Sequence, residues 1–387
     1  MPERNSYDIV LVCDAQRFLM SRKLDLYRFF ARPPRIILVR RGAPFPTDPR
    51  ISVEGETIHL PAIGFEQKKI ASTMLAALSS IGYLLNVFVL AFRLRWKKVK
   101  PQIVHAHFIF PQGLLGFLLS RIWRVPLFIS AVGSDANVLM RANAAMRKIC
   151  CFLMTQAYVT IAVSRPLQRV LQQFGIENAI YVPNSIDTSS ICPTSRSPTG
   201  DMILFVGAMT ENKRPLLLLR AFERVVSRVP TARLTMCGDG PLRETLETSV
   251  LQGQLQDKVR VFPQATSQFV MDLLSQASVF VLPSRHEGLS HALLEAMAAG
   301  KVIVASSNES HNEMFRSGRD ALLFGVDDEE KFAELLILAL TDEEIRSALS
   351  RSARQLCLEQ FSLHIVAPRV EAIYLKALGR SAANGTR

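Results

Sequence analysis

The sequence predicts an α/β protein of two doubly wound domains, each built on a parallel sheet. Short apolar runs alternate with helical stretches along the whole chain, the pattern of repeated βα units. At 387 residues the chain is too long for one ordinary core and suits two. With 49% hydrophobic and 21% charged residues it is globular, and disorder is excluded.

The elements follow in order. In the first half, strands are expected at Asp8–Cys13, Arg35–Arg40, Ile103–Ala106, Pro126–Ala131, Val159–Val163 and Ala179–Val182. In the second they recur at Met202–Val206, Arg233–Cys237, Val259–Phe262, Val279–Leu282 and Val302–Ala305. The Ser, Thr, Pro and Gly content of DTSSICPTSRSPTG marks a connection. The expected organisation is a Rossmann-like domain over 1–187, a linker over 188–200, a second Rossmann-like domain over 201–362, and a helix with tail over 363–387.

Charge separates the two halves. Residues 1–199 hold 25 Lys and Arg against 11 Asp and Glu, a net of +14, whereas residues 200–387 hold 21 against 23, a net of −2. Clusters such as Arg32, Arg35, Arg40, Arg41 and Arg93, Arg95, Lys97, Lys98, Lys100 suit an anionic partner. No nucleic-acid module accompanies them, so an anionic membrane surface is expected rather than nucleic acid.

Six cysteines without C-x-x-C spacing read as small buried hydrophobes of a reducing compartment. The start, MPERNSYDIVLVCDA, lacks the form of a secretory signal, so the expected location is cytoplasmic, peripheral at the membrane's inner face. Residues 70–92 carry no charge over 23 positions, long enough for a span. Four Ser and Thr hydroxyls, Gly82 and Asn86 favour instead a core helix or a helix dipping into one leaflet, with Trp96 at its flank.

The most informative segment is VFVLPSRHEGLSHALLEAMAAGKVIVA, Val279–Ala305. A buried strand breaks at Pro283, and an acidic loop then enters an apolar helix near Leu289–His291. The helix start offers N–H groups and the positive end of its dipole to the space beside Glu287. Glu295 follows eight residues later, about two helical turns on, where its carboxylate accepts from a second hydroxylated ring. A ligand with both hydroxyls and phosphates, such as a nucleotide sugar, fits that spacing.

With its Pro-Ser break and EAMAAG helix end, this segment resembles the donor-binding signature of retaining GT-B glycosyltransferases of family 4. Other pieces follow in register. FVGAMTENK (Phe205–Lys213) resembles the phosphate loop; CGDGPL (Cys237–Leu242) resembles the turn beside the nucleoside; Val261, Phe262 and Pro263 match the segment lining the base pocket. IVHAHFIFPQG (Ile103–Gly113), SAVGSD (Ser130–Asp135), Val163-Ser164 and PNSID (Pro183–Asp187) match elements of the amino domain. The match is strongest over 279–305 and weak before residue 100.

The resemblance implies two Rossmann-like domains facing across a cleft, with the last helix, read over Leu363–Leu378, crossing back to the first domain. It implies a catalytic set of Glu287, Lys213 and His107. It further implies donor contacts from Gly207, Arg214, Gly238, Phe262, Gly288, Leu289, Ser290 and Glu295, and an acceptor side of Asp14, Gly113, Ser134 and Asp135. Strand alternation is expected to send one of His105 and His107 to the cleft, and His107 is the one assigned. His291 is expected to be structural, and Arg285 and His286 are loop candidates without a role.

The implied reaction is transfer of a hexose from a UDP- or GDP-linked donor, with retention, to a lipid-linked or anionic glycan acceptor. No cofactor and no metal are expected, and the sequence contains no D-x-D pattern. Departures from the family pattern are specific. Val132 stands where a histidine is usual, Ala208 where an arginine is usual, and Arg214 and Ser185 where glycines are usual; NESHNE (Asn308–Glu313) lacks the Gly-Gly before its Glu. They keep two other readings open: a non-catalytic nucleotide-sugar-binding protein, and a GT-B epimerase or phosphorylase.

Overall fold

A computed structural model describes residues 8–13, 25–31, 34–41, 57–60, 101–132, 144–191, 200–263 and 266–384. Contacts divide the chain into two units, Met1–Val182 with Ala367–Arg387, and Pro183–Val366. Each is an α/β layer structure with a wholly parallel sheet among the described residues.

In the first unit the strands are β1 (Asp8–Cys13), β2 (Arg35–Arg41), β3 (Thr57–Leu60), β4 (Ile103–His107), β5 (Leu127–Ala131), β6 (Val159–Ala162) and β7 (Ala179–Tyr181). Their order is β3-β2-β1-β4-β5-β6-β7. Helices α1 (Gln112–Trp123), α2 (Ala144–Thr155) and α3 (Arg165–Gln173) make the crossovers after β4, β5 and β6. Every residue of β4 and β5 is buried, as central strands covered on both faces require. Val10, Val104, Ala106 and Ile129 pack there against Leu115, Leu119, Leu153 and Leu171.

The second unit carries β8 (Met202–Val206), β9 (Arg233–Cys237), β10 (Val259–Phe262), β11 (Val279–Leu282), β12 (Val302–Ser306) and β13 (Leu322–Phe324), in the order β10-β9-β8-β11-β12-β13. Its helices are α4 (Pro215–Arg228), α5 (Arg243–Gln252), α6 (Ser267–Gln276), α7 (His291–Ala298), α8 (Glu309–Met314), α9 (Glu329–Thr341) and α10 (Glu343–Gln360). Caps set several starts by satisfying first-turn N–H groups: Thr266 for α6, Ser290 for α7, Asn308 for α8 and Asp342 for α10. Pro183–Asp187 joins this unit through Ile186, whose N–H donates to the Phe361 carbonyl at 2.9 Å and whose carbonyl accepts from Leu363 N–H at 3.0 Å.

Both sheets reverse direction at one place, between β1 and β4 in the first unit and between β8 and β11 in the second. Crossover helices diverge to opposite faces there, which leaves a crevice outside the carboxyl ends of the two strands. His107 is the last residue of β4, and the loops after β8 and β11 carry Lys213 and Glu287. Topology thus places the expected chemistry before any side-chain detail is considered.

The last helix, α11 (Leu363–Asn384), belongs to the first unit from Ala367 onward. Glu371 accepts from the Ala31 N–H at 2.8 Å. Tyr374 is fully buried and its hydroxyl bonds His105 Nδ1 and, at 3.1 Å, the Tyr27 hydroxyl. His105 Nε2 lies 2.8 Å from Ser130 Oγ. With the ring proton on Nε2, Ser130 accepts it and Nδ1 accepts from Tyr374, so both nitrogens are satisfied.

Among the described residues no helix is long and apolar enough to cross a membrane. The stretch 70–92, Arg32, the 93–100 basic cluster, Cys192, Asp14, Ser134 and Asp135 lie outside the described residues.

Removing the Tyr374 hydroxyl takes away the closer hydroxyl partner of a buried imidazole nitrogen and leaves it the longer 3.4 Å contact with the Tyr27 hydroxyl. Tyr374→Phe is therefore expected to cost about 1–3 kcal/mol. Urea unfolding read by tryptophan fluorescence measures it, since Trp96 and Trp123 both fall in the first unit. An unchanged midpoint would remove this network from the account of what ties α11 down.

Candidate active site

In the second unit, two loops at the carboxyl edge of the sheet are stitched together by main chain. Arg285 N–H donates to the Asn212 carbonyl at 2.8 Å, His286 N–H to Asn212 Oδ1 at 3.0 Å, and Asn212 Nδ2 to the His286 carbonyl at 2.9 Å. This brings Lys213 and Glu287 into a salt bridge, although they stand 74 residues apart. Both side chains are largely buried, with 18% and 12% exposed. Burial alone raises a carboxyl pKa; here the Lys213 charge and hydrogen bond outweigh it, with help from His311 and the Ser284 hydroxyl, and hold Glu287 below the usual carboxylate range. Glu287 is an anion across the physiological range.

The helix beyond it begins as the sequence implies. Ser290 is the N-cap of α7, with extended φ and ψ, and its Oγ accepts from Leu293 N–H. Gly288 and Leu289 are buried in the turn before it, and the Leu289 carbonyl accepts from Asn184 Nδ2 at 2.7 Å. The helix start therefore sits on a fixed scaffold beside the Lys213–Glu287 pair. Glu295 lies on the buried face of α7 with 3% exposure, and His291 is buried at its first residue.

The glycines do something different from what their motif suggests. A Cβ on Gly238 would meet the Gly207 carbonyl oxygen at 1.9 Å, and one on Gly240 the Met209 carbonyl oxygen at 2.5 Å; both have φ of +154°. Gly207 N–H donates to the Cys237 carbonyl at 3.0 Å, Met209 N–H to Asp239 at 2.9 Å, and Gly238 N–H to Phe262 at 3.0 Å. The C-G-D-G turn thus needs glycine so that the loops after β8 and β9 can touch, and room for a nucleoside is not the cause at those two positions. Gly207 differs, since only the Phe205 ring lies near its would-be Cβ. Phe262 packs its ring edge-on against Phe269 at 5.2 Å.

Arg214 starts α4 in the left-handed region, φ 55° and ψ 51°, a conformation that favours glycine. Its guanidinium is nine-tenths buried, NH2 bonds Asp327 at 2.7 Å, and NH1 has no hydrogen-bond partner. Arg285, left without a role by its sequence, shares the same carboxylate at 3.1 Å. Burial and the nearby Arg285 charge lower the Arg214 pKa.

One neighbour of the pair was not singled out in the sequence. His311, inside the NESHNE loop, is buried, with Nδ1 2.7 Å from the Ser306 carbonyl and Nε2 without a hydrogen-bond partner. Burial lowers its pKa against the opposing pull of Glu287. Ser310 Oγ donates to the Glu287 carbonyl at 2.6 Å. The absent Gly-Gly, where Glu309 and Ser310 stand, was the signal that this loop is built differently. Glu313, the residue that matches the family, is exposed.

In the first unit the expected division of His105 and His107 is corrected. Both are buried and their rings lie 4.4 Å apart. Residues two apart on a strand share a face, so alternation cannot separate them. Gly113 is buried in the first turn of α1, with Ile129 Cδ1 and the Phe108 carbonyl at 3.4 and 3.5 Å from a would-be Cβ. Val132 packs against the unit's core.

Comparison with known proteins decides the family. The profile for glycosyl transferases group 1 matches residues 193–356, and that for glycosyltransferase family 4 matches residues 70–190. The chain belongs to the group 1, family 4 glycosyltransferases. It is 25% identical over 291 residues to an N-acetyl-alpha-D-glucosaminyl L-malate synthase of Bacillus anthracis, covering 72% of this chain and 75% of that protein. It is 22% identical over 305 residues to a UDP-Gal:alpha-D-GlcNAc-diphosphoundecaprenol alpha-1,3-galactosyltransferase of Escherichia coli, covering 72% and 76%. The structure of HepE from Anabaena in complex with UDP and glucose superposes with a TM-score of 0.76 at 15% identity, covering 96% of this chain and 100% of that one. The fold is GT-B.

For this glycosyltransferase the titrations carry a sign. His311 has a folded pKa below its ordinary 6.5, so the unfolded chain binds the extra proton first and stability falls as pH drops below 6.5. Glu287 has a folded pKa below 4.5; its contribution is whole above 4.5 and is lost as pH falls through the lower folded value. Both lose stability in acid, in successive windows. His311→Asn is expected to flatten the slope between pH 6.5 and 4.5. Urea unfolding at a series of pH values tests this, and an unchanged slope in the variant counts against it.

Proposed function

We propose that this glycosyltransferase is a retaining, metal-independent enzyme that moves a hexose from a UDP- or GDP-linked donor to a lipid-linked or anionic glycan acceptor. It would act without a cofactor at the cytoplasmic face of a membrane, in synthesis of a cell-surface polysaccharide or glycolipid. One observation carries the reading: a buried Lys213–Glu287 pair at the mouth of a capped eight-residue helix, at the topological switch of its sheet. The Escherichia coli relative, named for UDP-Gal and a diphosphoundecaprenol acceptor, supports the donor and acceptor classes.

The chemistry follows from where charge develops. As the anomeric C–O bond breaks, negative charge gathers on the leaving diphosphate. Lys213 has three N–H donors, so it can hold Glu287 and a phosphate oxygen together, and the start of α7 adds its dipole and N–H groups. Gly207 leaves the main chain open to a phosphate. Ionised Glu287 accepts hydrogen bonds from the transferred sugar's hydroxyls, and Glu295 accepts from the ribose. The acceptor hydroxyl attacks on the face the diphosphate leaves, forming the new C–O bond while its proton passes to a departing phosphate oxygen. Configuration is retained without a covalent glycosyl-enzyme. His107 and Gly113, with Asp14, Ser134 and Asp135, would serve the acceptor side.

Removing an oriented charge from such a site costs about 100- to 1,000-fold in rate. Glu287→Gln and Lys213→Ala are each expected to lower donor-dependent nucleotide release by that factor. Thermal shift with UDP, GDP and ADP sugars identifies the base, because a ligand bound to the native state raises its apparent stability. If the wild-type protein releases no nucleotide from any common donor, even with membrane extract, the enzymatic reading fails and a binding protein is favoured.

Arg214 replaces the cation missing at Ala208. Arg214→Gly relieves the left-handed strain yet removes a charge, so KM for the donor is expected to rise about tenfold with no loss of stability. Adding Ala208→Arg to that variant is expected to restore it. Equal KM in all three proteins would place Arg214 outside donor binding.

A further inference from the structure

Among the described residues of the first unit, five large apolar side chains are well exposed, Phe110, Ile122, Ile149, Phe152 and Leu375, and three of them lie on the adjoining helices α1 and α2. Ile122 on α1 is 47% exposed, and Ile149 and Phe152 on α2 are 43% and 52% exposed. The two helices meet there, with the Phe117 and Phe152 rings edge-on at 5.6 Å and the Arg121 guanidinium 5.1 Å from the Phe117 ring centre. Arg121 also donates to Gln156 Oε1, which spans the helices. On α2 the buried face is already supplied by Cys150, Leu153 and Met154, which pack into the core. Ile149 and Phe152, three apart, therefore form a second stripe on α2 that stays well exposed although the Phe117 ring packs against Phe152.

The sequence that carries the stripe is strongly basic. From Pro101 to Ile176 the sequence has seven basic residues, Arg121, Arg124, Arg141, Arg147, Lys148, Arg165 and Arg169, and a single acidic one, Asp135. Arg121, Arg124 and Lys148 are exposed beside the apolar side chains. A protein partner with an apolar face generally presents both signs at its rim, whereas anionic lipid offers a sheet of negative headgroups over hydrocarbon. Aromatic and branched apolar side chains ringed by Arg and Lys match that second chemistry.

We infer that the α1–α2 face is where this glycosyltransferase docks on an anionic bilayer, with Ile122, Ile149 and Phe152 entering the interface while Arg121, Arg124 and Lys148 meet the headgroups. The inference rests on the proposed membrane-side acceptor and names the surface that serves it. It does not involve the basic clusters at 32–41 and 93–100 or the apolar stretch 70–92.

Cosedimentation with vesicles of phosphatidylcholine, alone or mixed with phosphatidylglycerol, tests it on the full chain. The wild-type protein is expected to bind the mixed vesicles and to be released by salt. A variant with Ile149→Ser and Phe152→Ser is expected to lose about tenfold or more in partitioning, and Lys148→Ala about fivefold. Nucleotide release from the donor in solution should be unchanged in both, which shows that they fold. Wild type bound and variants bound equally would overturn the assigned surface while leaving a membrane acceptor intact. No binding of wild type to mixed vesicles would overturn both. A dimer in light scattering that these variants dissociate would give the face to a second copy of the chain and overturn the lipid assignment.

Discussion

The salt bridge between Lys213 and Glu287 is the interaction on which the second unit's site depends. Two charges this far from water are stabilising only because each is the other's partner. Taking either away strands the remaining one, at a cost on the order of 3 kcal/mol or more. The pair therefore demands that the loops after β8 and β11 be held in register, and Asn212 does this with its backbone and side chain against residues 285 and 286. The glycines at 238 and 240 bring the loop after β9 against the first of these. Three loops from three neighbouring strands become one rigid floor, and α7 starts at its edge.

The second constraint is topological. A parallel sheet whose strand order reverses must open a crevice at the reversal, whatever its side chains. In both units the loops of interest leave the strands at that reversal. This is why a chain only distantly related to its relatives can keep their fold and place its polar residues on the same loops. It also explains which changes are tolerated. Ala208, Arg214 and Ser310 alter charges and side chains on the floor; none removes a strand that creates it.

Much of this was legible in the sequence. Central strands such as VFVL and MILFV are apolar throughout because both faces are covered, and they were read within a residue or so of their ends. The short edge strands β3 and β13, TIHL and LLF, were missed, since a three- or four-residue edge has no run to detect. The E-x7-E spacing and the Ser290 cap were visible because both are local. What was hidden depends on partners far along the chain. Nothing near Glu287 in sequence announces Lys213 as its ion-pair partner or His311 as the buried imidazole that helps keep it ionised. The misassignment at β4 had a different origin: a correct period of two, applied to residues two apart, puts His105 and His107 on the same side. Which of them is held can be seen only once Tyr374, 269 residues away from His105, is found against it.

The pairing of Lys213 with Glu287 has a consequence for how a donor would be recognised. Before a ligand arrives, the ammonium is already neutralised by a carboxylate whose own pKa it depresses. A lone phosphate must compete for that ammonium with a partner fixed at contact distance, and it offers Glu287 nothing in return. A sugar diphosphate, the donor class proposed above, would do both: its phosphate would take an N–H of Lys213, and its hydroxyls would donate to Glu287 and replace the hydrogen bonding the carboxylate yields. In that proposal the pair would convert two weak, separable contacts into one that is complete only when sugar and diphosphate arrive together. Discrimination against free phosphate and bare sugar then follows from burial, because an unmatched charge is costly there and cheap in water.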